Sequence, residues 1–376
     1  MPGTAQLTSG GREPTPTVVI SGKTEIPIAN LWLLMLYASK FYESGTESSQ
    51  GAEEYPELLP DLLAEILVSS VRDRLQKPLT PIFSMSSRDL RRVRGRIDIL
   101  RTESHQLLRR GQIACHFDEL TNDSPRNRMV LAALNALAPL LGSKPLSSEC
   151  RNQSRALERL GVSSHYSARE AKALHVRLTR NDAQDRRMIQ AAQLALTMDL
   201  PMDSVAPHGI TRKFLDIHEF RRLFETAVGG LYAATLVREG WRVLRGRQLE
   251  WNAEYGTNGA SALMPQMKTD IILENATDNR RIVIDTKFTS ILAHGKYGKD
   301  TFKSSHLYQL YTYVRTQEME SDPLSVSSEG MLIYPATGQT IRESIQLSGH
   351  KMTAATIDLT LPAVQIRRQL LDVISA

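Results

Sequence analysis

Apolar residues recur at helical spacing through the first half of the chain and gather into short runs in the second. Ile26-Pro27-Ile28, followed by Ala29 to Tyr42, predicts a short extended piece and then a helix apolar on all sides, which is the signature of burial. Asp61 to Leu75 predicts a second, amphipathic helix entered through Pro60-Asp61. A third has the clearest ends: Ser124 can cap it, Pro125 suits its first position, and Gly142 stands past its end. Asn181 to Met198 predicts a further helix.

Beyond Asp199 the pattern changes. Asp216 and Glu219 form a capping box for a helix whose apolar face carries Phe220, Phe224, Ala227, Val228 and Leu231, and Gly240 can end it. Thr269 to Leu273 and Arg281 to Phe288 are β-like runs, and Asn275-Ala-Thr-Asp-Asn279 between them is turn chemistry for a hairpin. Ser304 to Gln317 predicts a helix, Met331 to Tyr334 and Ala355 to Leu359 predict strands, and Ala363 to Ile374 predicts a closing helix. The expected fold class is α/β: a helix-rich mixed α+β first domain, then a second domain around a central mixed sheet.

The chain has 376 residues, enough for two or three domains at about 150 residues each. Residues 1–23, rich in Thr, Pro, Gly and Ser, are expected to be a flexible tail. Residues 24–205 are expected to form the first domain and 206–376 the second. The boundary falls where Asp199-Leu-Pro201 and Ala206-Pro-His-Gly209 break the periodicity. Glu43 to Glu57 reads as a mobile acidic loop. With 41% hydrophobic and 23% charged residues, a wholly disordered chain is excluded. The longest apolar run, Leu31 to Ala38, is too short to cross a bilayer, and no basic segment leads into an export signal. A cytoplasmic protein without a membrane partner is therefore expected. Its two cysteines, Cys115 and Cys150, are expected to be reduced thiols. A formal net charge of +5 hints at nucleic acid without establishing it.

The informative chemistry is Asp270 followed, after 14 residues, by Asp285-Thr286-Lys287. Side chains alternate along a strand, so Asp285 and Lys287 share a face, and Asp270 can reach it from the partner strand. Two carboxylates converging with an ammonium suit a hard cation such as Mg2+, with Mn2+ as a substitute. Such a cation would polarise a phosphate and acidify a bound water, and the lysine would position that water or steady developing charge. An ordinary surface acid–base pair is the competing reading. Val283, Ile284 and Phe288 weigh against it, because a strand this apolar belongs in a core, where charges are costly unless paired or metal-bound. Glu225 is a third candidate carboxylate, or else a solvated helix residue. Gln309 and Tyr313 lie four apart on one helix face, with Tyr308 and Tyr311 nearby and expected to pack in the core.

In this order, Glu225, Asp270, Asp285-x-Lys287 and Gln309-xxx-Tyr313 resemble the PD-(D/E)xK nuclease superfamily. Further segments make roughly residues 24 to 350 similar to the McrC family, the nuclease subunits of modification-dependent McrBC restriction systems. They are Ile26 to Leu31, Arg94-Gly-Arg-Ile-Asp98, Phe117 to Asn127 and Leu223-Phe-Glu225. The chain departs from the superfamily pattern in having Thr269 rather than proline before Asp270, and Asp rather than the commoner Glu at position 285. The resemblance implies a restriction-endonuclease-like second domain and Mg2+-dependent cleavage of double-stranded DNA in a 5-methylcytosine restriction system. It implies metal ligation by Asp270, Asp285 and the backbone carbonyl of Thr286, a catalytic Lys287, and Glu225 as a helix-borne carboxylate near the metal. Gln309 and Tyr313 would support the site or touch phosphate. It also implies a partner: a separate AAA+ GTPase hexamer, McrB, which the first domain would dock on and stimulate.

Other motifs carry less. Gly22-Lys23-Thr24 ends like a P-loop, but Thr17 stands where its first glycine belongs. Nine scattered histidines and two cysteines give no zinc spacing. Eight arginines lie between Arg88 and Arg110, interleaved with Val93, Ile97, Ile99 and Leu100. A solvated amphipathic face and a DNA contact are both open there, with Arg94 and Arg96 best placed to meet phosphate or an acidic partner. Two other functions also stay open: a stand-alone repair or recombination nuclease, and a non-catalytic DNA-binding scaffold.

Overall fold

The computed structural model describes residues 17–20, 24–44, 52–166, 185–199, 214–251, 255–257, 259–294, 300–338 and 340–375. It divides into two compact units, residues 1–59 with 201–376, and residues 60–200.

The first unit is built on a six-stranded mixed sheet. In chain order its strands are β1 (Arg242–Arg245), β2 (Ile271–Asn275), β3 (Arg280–Thr286), β4 (Glu329–Ala336), β5 (Arg342–Leu347) and β6 (His350–Asp358). They lie in the order β5-β6-β4-β3-β2-β1. The expected hairpin is β2–β3, antiparallel, with Ile272 opposite Val283 and Asn275 opposite Arg280. Asn275 turns the chain by accepting a bond from Thr277 N at 3.0 Å, and Asn279 takes the left-handed conformation at φ 51°. β3 pairs in parallel with β4, and β4 with β6. A parallel neighbour requires a crossover, and the helix Ser304–Arg315 supplies it between β3 and β4. Its Leu310, Tyr313 and Val314 pack on a sheet face carrying Ile272, Val283, Leu332, Tyr334 and Met352. This is the face that Asp285 and Lys287 share, because alternate residues of β3 point to one side.

Its other long helices among the described residues are α1 (Ile28–Tyr37), α2 (Ile217–Thr235) and, after the crossover helix α3, α4 (Ala363–Ser375). Asp216 caps α2 by accepting from His218 N, and the left-handed Gly240 closes the 3-10 turn beyond it. The expectation that residues 24–205 form one domain is corrected here. α1 is almost wholly buried against this unit. Asn30 Nδ2 donates to the carbonyls of Leu359 and Leu361 at 2.7 and 2.9 Å. Glu53, placed by sequence in a mobile acidic loop, is also buried. It accepts from the hydroxyls of Tyr37 and Tyr42 and lies 2.7 Å from Arg367 Nε on α4. A carboxylate inside a folded unit needs such partners, and these were invisible because Arg367 lies more than three hundred residues along the chain. The expected tail also changes. Thr17–Ile20 is a strand, antiparallel to Thr24–Pro27 and parallel to Phe214–Leu215. Residues 1–16, 21–23 (with Gly22-Lys23) and 45–51 lie outside the described residues.

The second unit holds the helices Leu59–Leu75, Pro125–Leu137, Lys144–Arg159 and Arg186–Asp199. Ser124 Oγ caps the second of these by accepting from Asn127 N at 3.2 Å, and Pro125 occupies its first turn. That helix stops at Leu137, earlier than the Gly142 expected to end it. Beside the helices lies a three-stranded antiparallel sheet, Ile82–Leu90 with Ile113–Thr121 and Ile113–Thr121 with Arg96–Ile97. Among the described residues no helix is long and apolar enough to cross a membrane.

Candidate active site

Asp270 immediately precedes β2, Asp285 lies in β3, and Lys287 follows its last residue. Since Ile271 pairs with Ile284, continuing the register sets Asp270 across from Asp285. The hairpin therefore brings both carboxylates and the ammonium to one end of one sheet face. Asp285 and Lys287 are 3% and 7% exposed, so the apolar strand does bury its charges.

Each charge has an identifiable partner. Asp270 Oδ2 accepts from the backbone N–H and the hydroxyl of Thr286, both at 2.7 Å. Lys287 Nζ lies 2.6 Å from Asp285 Oδ2 and donates to Gln309 Oε1 at 2.7 Å. Gln309 Nε2 then donates to the Tyr313 hydroxyl at 2.6 Å. Gln309 and Tyr313 thus stand behind the lysine, one helical turn apart on α3. Lys287 is the group that meets the buried Asp285 Oδ2, and no other donor reaches that oxygen among the described residues.

Burial pushes the Asp285 carboxyl up to about 6. The negative Asp270 adds to the rise, and Lys287 opposes it. Glu225, half-buried on α2, is also raised, first by burial and then by Asp270, with Lys268 and Arg221 pulling it down. It is within electrostatic reach of the acid pair but does not complete a cluster with it. Among the described residues no three of His, Cys, Asp and Glu gather closely enough to hold a metal ion.

A divalent cation fits the pair itself. The carboxylates of Asp285, whose Oδ2 is met by Lys287, and of Asp270, whose second oxygen accepts no bond among the described residues, are hard donors, and like charges this near one another are relieved by a cation. Asp270, Asp285 and the Thr286 carbonyl are the groups that would hold it.

Two expectations about tyrosines part company. Tyr311 is half-buried against the core and donates to Ser348 Oγ at 3.0 Å. Tyr308, expected in the core, is 67% exposed. It sits about 200° around the helix from Leu310, whose side faces the sheet. One neighbour of the site was not singled out from sequence. His306, half-buried, places Nδ1 3.0 Å from the Tyr334 hydroxyl. Its spacing was a usable signal, three residues before Gln309 and seven before Tyr313 on the same helix face.

In the second unit, Arg94 does not stand free: its guanidinium lies over the Phe117 ring, 4.2 Å from the centroid. Arg96 is exposed on a short strand opposite His116.

With these features in place, the chain can be set beside known proteins. Residues 12–335 match the family described as McrBC 5-methylcytosine restriction system component, and the chain belongs to that family. It is 23% identical over 356 residues to the type IV methyl-directed restriction enzyme EcoKMcrBC of Escherichia coli K12, covering 93% of this chain and 97% of that one. Among solved structures it is similar to the Thermococcus gammatolerans assembly of McrB AAA+ hexamers with bound McrC. The match has TM-score 0.44 and 18% identity, over 93% of this chain and 76% of that one. A second structure, the Thermococcus gammatolerans McrBC complex, matches with TM-score 0.30 and 20% identity over 44% of this chain and 50% of that one.

Proposed function

We propose that this chain is the DNA-cutting subunit of a 5-methylcytosine restriction system, a Mg2+-dependent endonuclease of the cytoplasm working with a McrB-like AAA+ GTPase. The observation that carries the reading is the Asp270, Asp285 and Lys287 cluster at one end of a sheet face, with the buried Asp285 Oδ2 paired to Lys287. Family membership supplies the biological setting.

When bound, the cation supplies charge neutralisation at the phosphate and lowers the pKa of a coordinated water. The protein's own groups do the rest. Thr286 holds Asp270 in one rotamer by two bonds. Gln309 and Asp285 hold the Lys287 ammonium from two sides, so it meets the developing phosphorane charge without reorganising. Tyr313, buried and linked to Gln309, keeps that amide oriented. Burial of Asp285 and Lys287 excludes bulk water and strengthens each of these interactions.

The second unit supports the partner half of the reading. On the hairpin formed by Ile82–Leu90 and Ile113–Thr121, Phe83 lies opposite Leu120 with Met85 on the same face, and all three are exposed. Exposed large apolar side chains suit a protein partner better than a phosphate backbone.

The test is cleavage of methylated and unmethylated plasmid by the full chain, with and without a McrB-like GTPase, in Mg2+ and in EDTA. Metal-dependent cutting that Asp270→Ala, Asp285→Ala and Lys287→Ala each abolish is expected. For the scaffold alternative, DNA binding would persist while no condition yields cutting.

A further inference from the structure

We propose that His306 binds phosphate at this site: Tyr334 holds its ring so that Nε2–H donates to a non-bridging oxygen of the DNA phosphate beside Lys287. The inference rests on the nuclease reading and adds two residues to it.

Tyr334 is fully buried in β4, and its hydroxyl proton needs an acceptor there. Its partner is His306 Nδ1 at 3.0 Å. A neutral imidazole has one acceptor nitrogen and one donor nitrogen, so an Nδ1 that accepts from the tyrosine leaves the proton on Nε2. The ring is neutral at physiological pH because burial, then Lys287, Lys303 and Arg221, hold its pKa down to about 4. Nε2 has no partner among the described residues, and it is not among their buried polar atoms sealed without one. The donor is therefore left for something that arrives from solvent.

Location and charge say what arrives. Asp285 pairs with Leu332, and two residues on along both parallel strands Tyr334 comes beside Lys287 on the same face. His306 lies over Tyr334 on α3, one turn before the Gln309 that holds Lys287. The charges acting most strongly on the imidazole are all positive: Lys287, Lys303 and Arg221. Of these, Lys303 makes no ion pair and no side-chain hydrogen bond among the described residues, while Arg221 also acts on Glu225 and Asp285. A neutral N–H donor among three cations is complementary to an anion with several acceptor oxygens.

A purely structural contact of His306 with Tyr334, whose rings are tilted with centroids 5.9 Å apart, predicts different behaviour, and one experiment separates the two. The full chain with its GTPase partner and Mg2+ is assayed for duplex cleavage, alongside duplex affinity in Ca2+ and thermal melts, for His306→Ala, His306→Gln and Tyr334→Phe. His306→Ala should lose roughly ten- to a hundredfold in cleavage rate, the size expected for a hydrogen bond to a charged group. His306→Gln should keep much more, since its amide can accept from Tyr334 and still donate. Tyr334→Phe should fall between them. In the wild type, 15N NMR of the histidines should show His306 in the Nε2–H form, mixing with the other tautomer in Tyr334→Phe. Equal cleavage by wild type and His306→Ala, equal loss in the Ala and Gln variants, or an Nδ1–H ring would overturn the inference while leaving the nuclease reading intact. Absence of cleavage by the wild type under every condition overturns the nuclease reading and this inference together.

Discussion

Asp270 and Thr286 are joined twice: one carboxylate oxygen accepts both the backbone N–H and the hydroxyl of the threonine, at 2.7 Å each. The two bonds bridge the open end of the hairpin, where the regular ladder has stopped at Ile271 and Ile284. They fix the rotamer of the more exposed acid and leave its other oxygen free. Thr286→Val keeps the backbone bond and the side-chain shape but removes the hydroxyl bond. A charge-assisted bond of this kind contributes about 1.5–3 kcal/mol, so the unfolding free energy from urea titration should fall by that amount. Cleavage should slow by about tenfold as Asp270 gains freedom. Wild-type values in both assays would show the hydroxyl bond to be idle.

The Asp285 carboxyl carries a stability cost that depends on pH. Its pKa is raised to about 6 in the folded chain, chiefly by burial, against the ordinary 3.8 once unfolded. Between those values the folded state binds a proton that the unfolded state does not. Metal-free protein should therefore gain stability as pH falls from above 6 towards 4, and lose it as pH rises through 6. Asp285→Asn removes this dependence. In EDTA at pH 8 the variant should be as stable as the parent or more so, by up to on the order of 2–3 kcal/mol. The gap should close near pH 4. A variant markedly less stable than the parent at pH 8 would mean that the Lys287 ion pair outweighs desolvation.

Much of this site was legible in the sequence because it sits on elements with strong local periodicity. The strand spacing of Asp285 and Lys287 sets their common face, and the four-residue step from Gln309 to Tyr313 stacks them on one helix. The caps at Ser124 and Asp216 were equally plain, since capping is a property of a few neighbouring residues. What failed were features decided by distant partners. Glu53 looks like loop in its own neighbourhood, and only Tyr37, Tyr42 and Arg367 make it core. The strand Ile82–Leu90 is exposed along most of both faces, so it offered no alternation to read. The intermediate case is His306, visible by spacing yet passed over because its partner Tyr334 lies on another element.

The packing of α1 on α2 depends on Gly230. A Cβ there would lie 1.9 Å from the carbonyl oxygen of Tyr37, and a backbone oxygen inside a buried helix cannot step aside. Gly230→Ala improves helix propensity by about 1 kcal/mol, so any net loss of stability isolates the clash. The expected outcome is a loss of about 3 kcal/mol or more. Gly256→Ala, with nothing within 4 Å of the added carbon, is the control and should change little. Denaturant midpoints for the two variants decide the matter, and a Gly230→Ala protein as stable as the control would show that the helices can separate without cost.

The division of labour between the two units gives the last prediction. Cutting the chain at residue 205 is the division suggested by sequence, but it strands α1 and Glu53 away from Leu359, Leu361 and Arg367, which satisfy them. The piece 206–376 would leave Arg367 without Glu53 and expose the α2 surface at Gly230 that Tyr37 covers. Such a fragment should be unfolded or aggregated, and its inactivity would say nothing about function. Residues 60–200 are a compact unit with their own capped helices and sheet, and this piece should fold alone. Its exposed Phe83, Met85 and Leu120 are the surface expected to meet the GTPase. The 60–200 fragment should therefore raise the partner's GTP turnover without cutting DNA, and Phe83→Asp should remove that effect without lowering its melting temperature. The complementary protein, residues 1–59 joined to 201–376 by a flexible linker, should fold and keep its acid pair yet fail to stimulate the GTPase. Far-UV circular dichroism establishes folding before GTP turnover and plasmid cleavage are measured. Stimulation by the linked protein, with none from 60–200, would move the partner surface onto the unit that carries Asp270 and Asp285.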